Sequence, residues 1–175
     1  MDMIISLIGP SGSGKTSIAQ KLQEKGYNVI QSYTTRKPRE ENEWGHTFVD
    51  NYDNPDDVIA YENLYGNHYW ATKEQYKNKG ISIYIIDPQG DKKLRKAVDC
   101  PVISIFLYCD YTNCYRRMSI IRGTESALER IQKDSKMFSF VKCDYVVDAN
   151  RSIVEVYKDV EKAIELEEAK CDMIS

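Results

Sequence analysis

Short, nearly continuous apolar runs recur along the chain, and stretches with helical spacing follow them. Residues 3–8, 28–31, 82–87, 102–108 and 144–148 read as strands. Two of these runs, Ile81-Ser82-Ile83-Tyr84-Ile85-Ile86 and Val102-Ile103-Ser104-Ile105-Phe106-Leu107, alternate too little to keep one face in water. Strands buried on both faces have that composition. Helical patterns cover residues 15–25, 73–79, 89–97, 111–121, 126–136 and 151–169. The last sets Ile153, Val154, Val156, Tyr157, Val160, Ala163 and Ile164 on one apolar stripe and ends in a solvated acidic run from Glu165 to Glu168. Alternation of this kind predicts an α/β protein, a parallel sheet flanked by helices.

Residues 32–72 break the alternation. They are rich in Tyr, Asn, Asp and charge, with short β-like pieces at 47–49, 61–65 and 68–70 and a hairpin turn at Gly66-Asn67. An aromatic and polar insertion after the second strand reads as a substrate-binding lobe. Within it, Tyr61, Tyr65, Tyr69 and Trp70 are aromatics able to stack on a base, although in a hairpin packing is the commoner role; only Tyr69 is read as a site residue.

Composition narrows the field. At 175 residues the chain fits one domain with a sizeable core. A net charge of −3 gives no global attraction to nucleic acid or to an anionic membrane, so any anion site is a local cluster of cations. No apolar run approaches the roughly 20 residues that span a bilayer, and the first run lacks a basic leader, so it reads as a core strand. Cys100, Cys109, Cys114, Cys143 and Cys171 form no Cys-x-x-Cys pair; they read as reduced thiols of a cytoplasmic protein, not a zinc site.

The first run leads directly into Gly9-Pro10-Ser11-Gly12-Ser13-Gly14-Lys15-Thr16, which fits the phosphate-loop pattern without mismatch. Glycines let backbone N–H groups curl around an anion at the start of a helix, here continuing through Ser17. Lys15 is placed to reach the β- and γ-phosphates of ATP, and the Thr16 hydroxyl to ligate Mg²⁺. A second anion site is suggested by Ser32-Tyr33-Thr34-Thr35-Arg36-Lys37-Pro38-Arg39, where three cations lie beside hydroxyls. A second basic cluster, Arg116, Arg117, Arg122 and Arg130, contains the flexible joint Gly123-Thr124. Of Arg116 and Arg117, one is expected to face solvent. Asp87, at the end of a strand and before Pro88, points toward a site, caps the next helix, or both.

Together these segments resemble the guanylate kinase family. The resemblance rests on the phosphate loop, on Ser32 to Arg39, on Gly45 with Thr47-Phe48-Val49, on Gly66-Asn67-His68-Tyr69, on Asp87-Pro88-Gln89-Gly90, and on Arg122-Gly123-Thr124-Glu125 with Arg130. It implies a phosphate-loop NTPase fold with an inserted nucleoside-monophosphate-binding lobe and an arginine lid. The core would comprise 1–31, 80–115 and 137–175, the lobe about 32–79 and the lid about 116–136. It implies transfer of the ATP γ-phosphoryl to GMP or dGMP, with Mg²⁺, by a cytoplasmic monomer or homodimer. Lys15, Arg39, Arg122 and Arg130 would be catalytic. Ser32, Arg36, Arg39 and Tyr69 would hold the acceptor phosphate, Thr72 and Glu62 would read the base, and Asp87 would orient the acceptor or hold Mg²⁺ through water.

Departures from the family pattern mark the soft positions. The stretch before Phe48-Val49 is two residues short and lacks a phosphate-binding tyrosine. Ala71 falls where the family has a serine, Ala60 near its base-reading glutamate unless a shift brings in Glu62, and Ile85 at one of two acidic residues. A different nucleotide or small phosphorylated acceptor is therefore the alternative substrate, and a non-catalytic binding module the alternative class.

Overall fold

The protein was analysed as a computed structural model that describes residues 1–64 and 66–173; for Arg122 it describes the backbone alone. Tyr65 and the Arg122 side chain thus lie outside the described residues.

Five parallel strands form the central sheet in the order β2-β7-β1-β8-β9: β1 (Met3–Ile8), β2 (Asn28–Ile30), β7 (Ile81–Ile85), β8 (Val102–Tyr108) and β9 (Tyr145–Asp148). Because side chains alternate along a strand, β1 feeds two cores. Met3, Ile5 and Leu7 pack with Ile18, Ala19 and Leu22 of α1 (Lys15–Glu24), Cys114 and Met118 of α3 (Tyr111–Arg122), and Val156, Val160, Ala163 and Ile164 of α5 (Ile153–Asp172). Ile4 packs on the opposite face with Tyr84, Val102 and Leu94 of α2 (Pro88–Ala97). The central strands are buried on both faces, as their composition requires. Each such apolar side chain contributes roughly 1.5–3 kcal/mol on burial.

The inserted segment forms its own sheet, β4-β3-β6-β5, from β3 (Ser32–Thr34), β4 (His46–Phe48), β5 (Val58–Leu64) and β6 (Asn67–Thr72). The hairpin expected around Gly66-Asn67 joins β5 to β6. Directly opposed residues share a face, so the register sorts the lobe. Ser32, Thr34, His46, Phe48, Ala60, Glu62, Tyr69 and Ala71 line one face; Tyr33, Tyr61, Trp70 and Thr72 line the other. On that other face Trp70 stacks on Tyr33 at 5.5 Å, and Tyr52 sits against Tyr61, His68 and Trp70. This aromatic layer is packing, as expected for all but Tyr69.

Two sequence expectations are corrected. The helix over 73–79 is a single 3-10 turn, Lys73–Gln75, capped by Thr72 and Gln75. It stops because Asn78 and Gly80 take positive φ and the Asp2 carboxylate accepts the N–H groups of Asn78, Lys79 and Gly80. The apolar stripe of α5 is narrower than its sequence suggests. Ile153 and Val154 are exposed at its start, where Ser152 and Glu155 form a capping box, and Tyr157 lies at the edge of the core. The basic segment is two helices, α3 and α4 (Thr124–Met137), joined at Gly123 with φ 82°. That positive φ is the conformation glycine adopts without a Cβ penalty.

Candidate active site

Three parallel strands deliver the site residues at their carboxyl ends. The loop of residues 9–16 follows β1, Ser32 follows β2, and Asp87 follows β7. Crevices outside the carboxyl ends of an open parallel sheet are where such folds hold ligands.

The donor loop is packed from behind. A Cβ on Gly9 would lie 2.8 Å from the Leu107 carbonyl oxygen, and one on Gly12 (φ 82°) 2.8 Å from that of Cys114. Neither glycine can be replaced without moving backbone. Gly14, in the left-handed region at φ 95°, is the N-cap of α1 and supplies no side-chain acceptor. No acidic residue lies in the first turn. No carboxylate of the N-cap or first turn thus competes with an external anion at the start of α1, where the helix dipole favours negative charge. The Lys15 ammonium donates to the Gly9 and Pro10 carbonyls at 2.6 and 2.9 Å. Thr16 and Ser17 present exposed hydroxyls in the first turn, and the Ser13 hydroxyl is buried without a partner.

The lid helix reaches this loop. Arg130 Nε donates to Ser11 Oγ at 2.9 Å, and the Asp134 carboxylate accepts the Ser11 N–H at 2.7 Å. Asp134 is 5 % exposed, so the carboxylate that accepts this loop amide is buried. Sequence reasoning placed Arg130 here and missed Asp134, one helical turn beyond it. It left open which of Arg116 and Arg117 faces solvent, and the structure turns Arg117 inward. This arginine donates to the Gly12 carbonyl at 3.2 Å, to the Arg151 carbonyl at 3.4 Å and to Cys109 Sγ at 3.6 Å, bracing the loop against α3. Arg116 is the exposed member of the pair. The Cys109 thiol, beside Cys114 and with Arg117 on its sulfur, is pulled down to about 7.

The acceptor lobe gathers side chains instead of amides. Arg36 forks onto Glu43 at 2.6 and 3.2 Å, and the Arg39 N–H donates to the same carboxylate at 2.7 Å. The Arg36 guanidinium beside Glu43 holds that carboxyl down at about 2. Arg36 lies over the Phe48 ring at 5.4 Å and against Tyr69. The Arg39 side chain is exposed. Ser32 Oγ bonds the Tyr84 hydroxyl at 2.9 Å, and burial pushes Tyr84 up to about 12. Glu62 sits at the rim, raised above the ordinary carboxylate range first by desolvation and then by the charge of Asp87, with Lys93 opposing. Glu62 therefore faces the cleft, while Ala60, two residues earlier on the same face of β5, packs against the second core.

One expected role changes, and the capping role expected for Asp87 is borne out. Thr72 does not sit against a base. It lies on the opposite face of β6 from Tyr69 and Glu62, is 4 % exposed, and its hydroxyl donates to Glu74. The two-residue period of a strand sets this, because Tyr69 and Thr72 are separated by an odd number. Asp87 is the N-cap of α2; its Oδ1 accepts from Gln89 N–H at 2.7 Å and Gly90 N–H at 2.9 Å, with Pro88 at N1. Oδ2 accepts no hydrogen bond among the described residues, so the cap leaves one oxygen for the cleft. Ala71 is fully buried opposite Ala60, with no hydroxyl to offer.

A phosphate loop at one end of a parallel sheet, Arg130 of α4 on that loop, and a lobe with its own arginine fork define a nucleoside monophosphate kinase of the phosphate-loop class. Residues 1–167 match the family model described as guanylate kinase, and the chain belongs to the guanylate kinase family. A guanylate kinase from Wolbachia sp. subsp. Brugia malayi (strain TRS) is 32 % identical over 180 residues, covering 91 % of this chain and 92 % of the relative. One from Anaplasma phagocytophilum (strain HZ) is 29 % identical, covering 96 % and 88 %. Among solved structures, guanylate kinase from Anaplasma phagocytophilum superposes with a TM-score of 0.63 at 22 % identity, covering 95 % of this chain and 86 % of that one. A gluconokinase from Sinorhizobium meliloti 1021 shares the fold at a TM-score of 0.58 and 15 % identity, covering 99 % and 98 %. Among the described residues no helix is long and apolar enough to cross a membrane.

Proposed function

We propose that this protein transfers the γ-phosphoryl group of ATP to GMP or dGMP, and that the roles follow the two anion sites described above. The observation that carries this reading is their pairing: Lys15 and Arg130 meet on the donor loop, while Arg36, Ser32 and Tyr69 line the acceptor lobe. The loop amides and Lys15 hold the donor phosphates. Arg130, with Arg122 one residue before the hinge, neutralises the charge that spreads over the moving group. Such transfer needs no covalent intermediate, only alignment and charge stabilisation. Arg36, Arg39, Ser32 and Tyr69 hold the acceptor phosphate.

Glu62 favours guanine. Its carboxylate is an acceptor suited to the paired N–H donors of guanine N1 and N2, and the same edge of adenine offers an acceptor that it would repel. Thr16 and Asp87 Oδ2 are hard oxygen donors of the type Mg²⁺ takes, Asp87 through water. The ion would add positive charge to the bridging phosphate oxygens. The lobe over about 32–79 and the lid over about 116–136 then act as the moving parts around the core, in a cytoplasmic monomer or homodimer whose partners are these nucleotides and neither nucleic acid nor membrane.

One further reading has support: Ala71, where a hydroxyl would have met the base, favours a site that tolerates other acceptors. ADP release with ATP, Mg²⁺ and a panel of nucleoside monophosphates separates the two. Turnover strongest with GMP or dGMP is expected. Turnover confined to pyrimidine acceptors, or absent throughout, would sink the guanylate reading.

A further inference from the structure

His46 is the residue in the acceptor lobe whose chemistry has so far gone unused. It stands opposite Ser32 on the inner face, with its ring 5.7 Å from that of Tyr69 and 6.0 Å from that of Phe48. Its Nδ1 is buried with no hydrogen-bond partner among the described residues, and so is Arg36 Nε. Buried polar atoms are rarely left unpaired, since each costs on the order of 1–3 kcal/mol. Two such atoms flank Tyr69, which touches both residues. A ligand with several acceptor oxygens would satisfy them together.

The surroundings define that ligand's charge. Arg36 and Arg39 come from the loop after β3, Glu43 from the loop before β4, the Ser32 carbonyl from β3 and the Tyr69 hydroxyl from β6. Burial, and then the charges of Arg36 and Arg39, press the imidazole toward its neutral form. The Ser32 carbonyl and Glu43 oppose them. A dianion bound beside the ring would reverse the balance, because an opposite charge within a few ångströms favours the protonated ring. Nδ1 would then carry a proton aimed at an oxygen.

We infer that His46 binds the acceptor's phosphate as an imidazolium, so that seating a phosphomonoester dianion in this lobe is coupled to uptake of one proton. The inference rests on the acceptor-site reading above and adds to it a pH-dependent specificity residue. Charge-assisted bonds are the stronger kind, and a neutral ring in the same place forfeits one. Acceptor affinity therefore falls as pH rises above the free-state value of His46, by up to about tenfold per pH unit until the bound-state value is reached. The effect lies in the acceptor KM and leaves kcat nearly flat.

The chain has two histidines, His46 and His68, so imidazole NMR reports the coupling directly. Titrating the full-length protein with and without GMP, and separately with inorganic phosphate, should raise the His46 value by about one unit or more and leave His68 unmoved. An unmoved His46 in the presence of either bound ligand would overturn the inference. A parallel assay at saturating ATP and Mg²⁺, between pH 6.5 and 8.5, follows KM for GMP. His46→Gln should raise KM about tenfold at pH 6.5 and flatten the profile; His46→Tyr should restore a low KM but keep the profile flat. A His46→Gln enzyme with the wild-type KM and profile would refute the role of His46 while leaving the kinase reading standing. Failure of wild type to turn over GMP, with His46 still responding to phosphate, would refute the kinase reading alone.

Discussion

The donor loop and the acceptor lobe solve one problem, holding phosphate, by opposite means. The loop uses backbone amides at a helix start, packed so closely behind that Gly9 and Gly12 admit no side chain. The lobe uses side chains from three strands and a loop, aimed by register. Each holds a carboxylate of the protein's own on its anion-binding groups, Asp134 on the Ser11 amide and Glu43 on the Arg36 fork. The two carboxylates differ in origin. Asp134 comes from a separate helix beyond the Gly123 joint. Glu43 lies seven residues from Arg36 on the same loop and also binds the Arg39 N–H. The donor loop is closed by a carboxylate from another element; the acceptor fork is framed by one from its own loop.

Several experiments sharpen or break that contrast. The largest effect belongs to the donor side: Lys15→Ala should lower kcat by about 10²–10³-fold, as loss of a single transition-state donor does, with an unchanged circular dichroism spectrum. Near-wild-type turnover would remove Lys15 from the donor site. Next, Arg36→Ala should raise the acceptor KM by about 10²-fold, because it deletes a bidentate charge and leaves Glu43 uncompensated inside the lobe. Arg39→Ala, an exposed side chain, should raise KM less, and an unchanged KM would exclude it from the site. Asp134→Asn should tighten ATP binding by about fivefold, measured by calorimetry, since a competing carboxylate is gone. Unaltered affinity would mean that the Asp134–Ser11 bond persists when ATP binds.

The remaining tests concern stability. Glu43 titrates at about 2 in the fold and near 4.5 when free of its partners. A depressed carboxylate stabilises the fold above its unfolded value, and that contribution disappears as pH falls through the folded one. The melting temperature of wild type should therefore drop more steeply than that of Glu43→Gln between pH 4.5 and 2, and parallel curves would contradict the fork geometry. The smallest effect is expected for Ser152→Ala, which removes the capping box of α5. It should cost about 1 kcal/mol, read as a lower melting temperature with unchanged KM values.

The contrast also explains what the sequence made legible. The central strands and the phosphate loop are contiguous segments whose local chemistry dictates their structure, so β1, β7, β8 and the loop could be read one residue after another. Side chains assembled across strands carry no such local trace. Nothing near Glu43 announces Arg36 as its partner, and nothing near Asp134 announces an amide 123 positions away. His46 emerged only once the pairing with Ser32 was known. Thr72 failed for a related reason: motif spacing placed it beside Tyr69, but strand parity turned it to the other face. The helix over 73–79 had the right periodicity and was overridden by Asp2, which from the start of the chain gathers three amides.

The order of the central sheet carries a consequence for how the protein comes into being. β1 is its middle strand, and its partners are Ile81 to Ile85 on one side and Val102 to Phe106 on the other. During synthesis the first strand and its phosphate loop emerge long before either neighbour exists. Pairings so distant in sequence are slow to form, and until they do an apolar strand stays unprotected. The backing of the loop arrives as late: Leu107, which lies behind Gly9, belongs to β8. Ribosome-bound chains truncated before residue 102 should accordingly remain protease-sensitive and deaf to ATP, with protection arriving abruptly once β8 clears the tunnel.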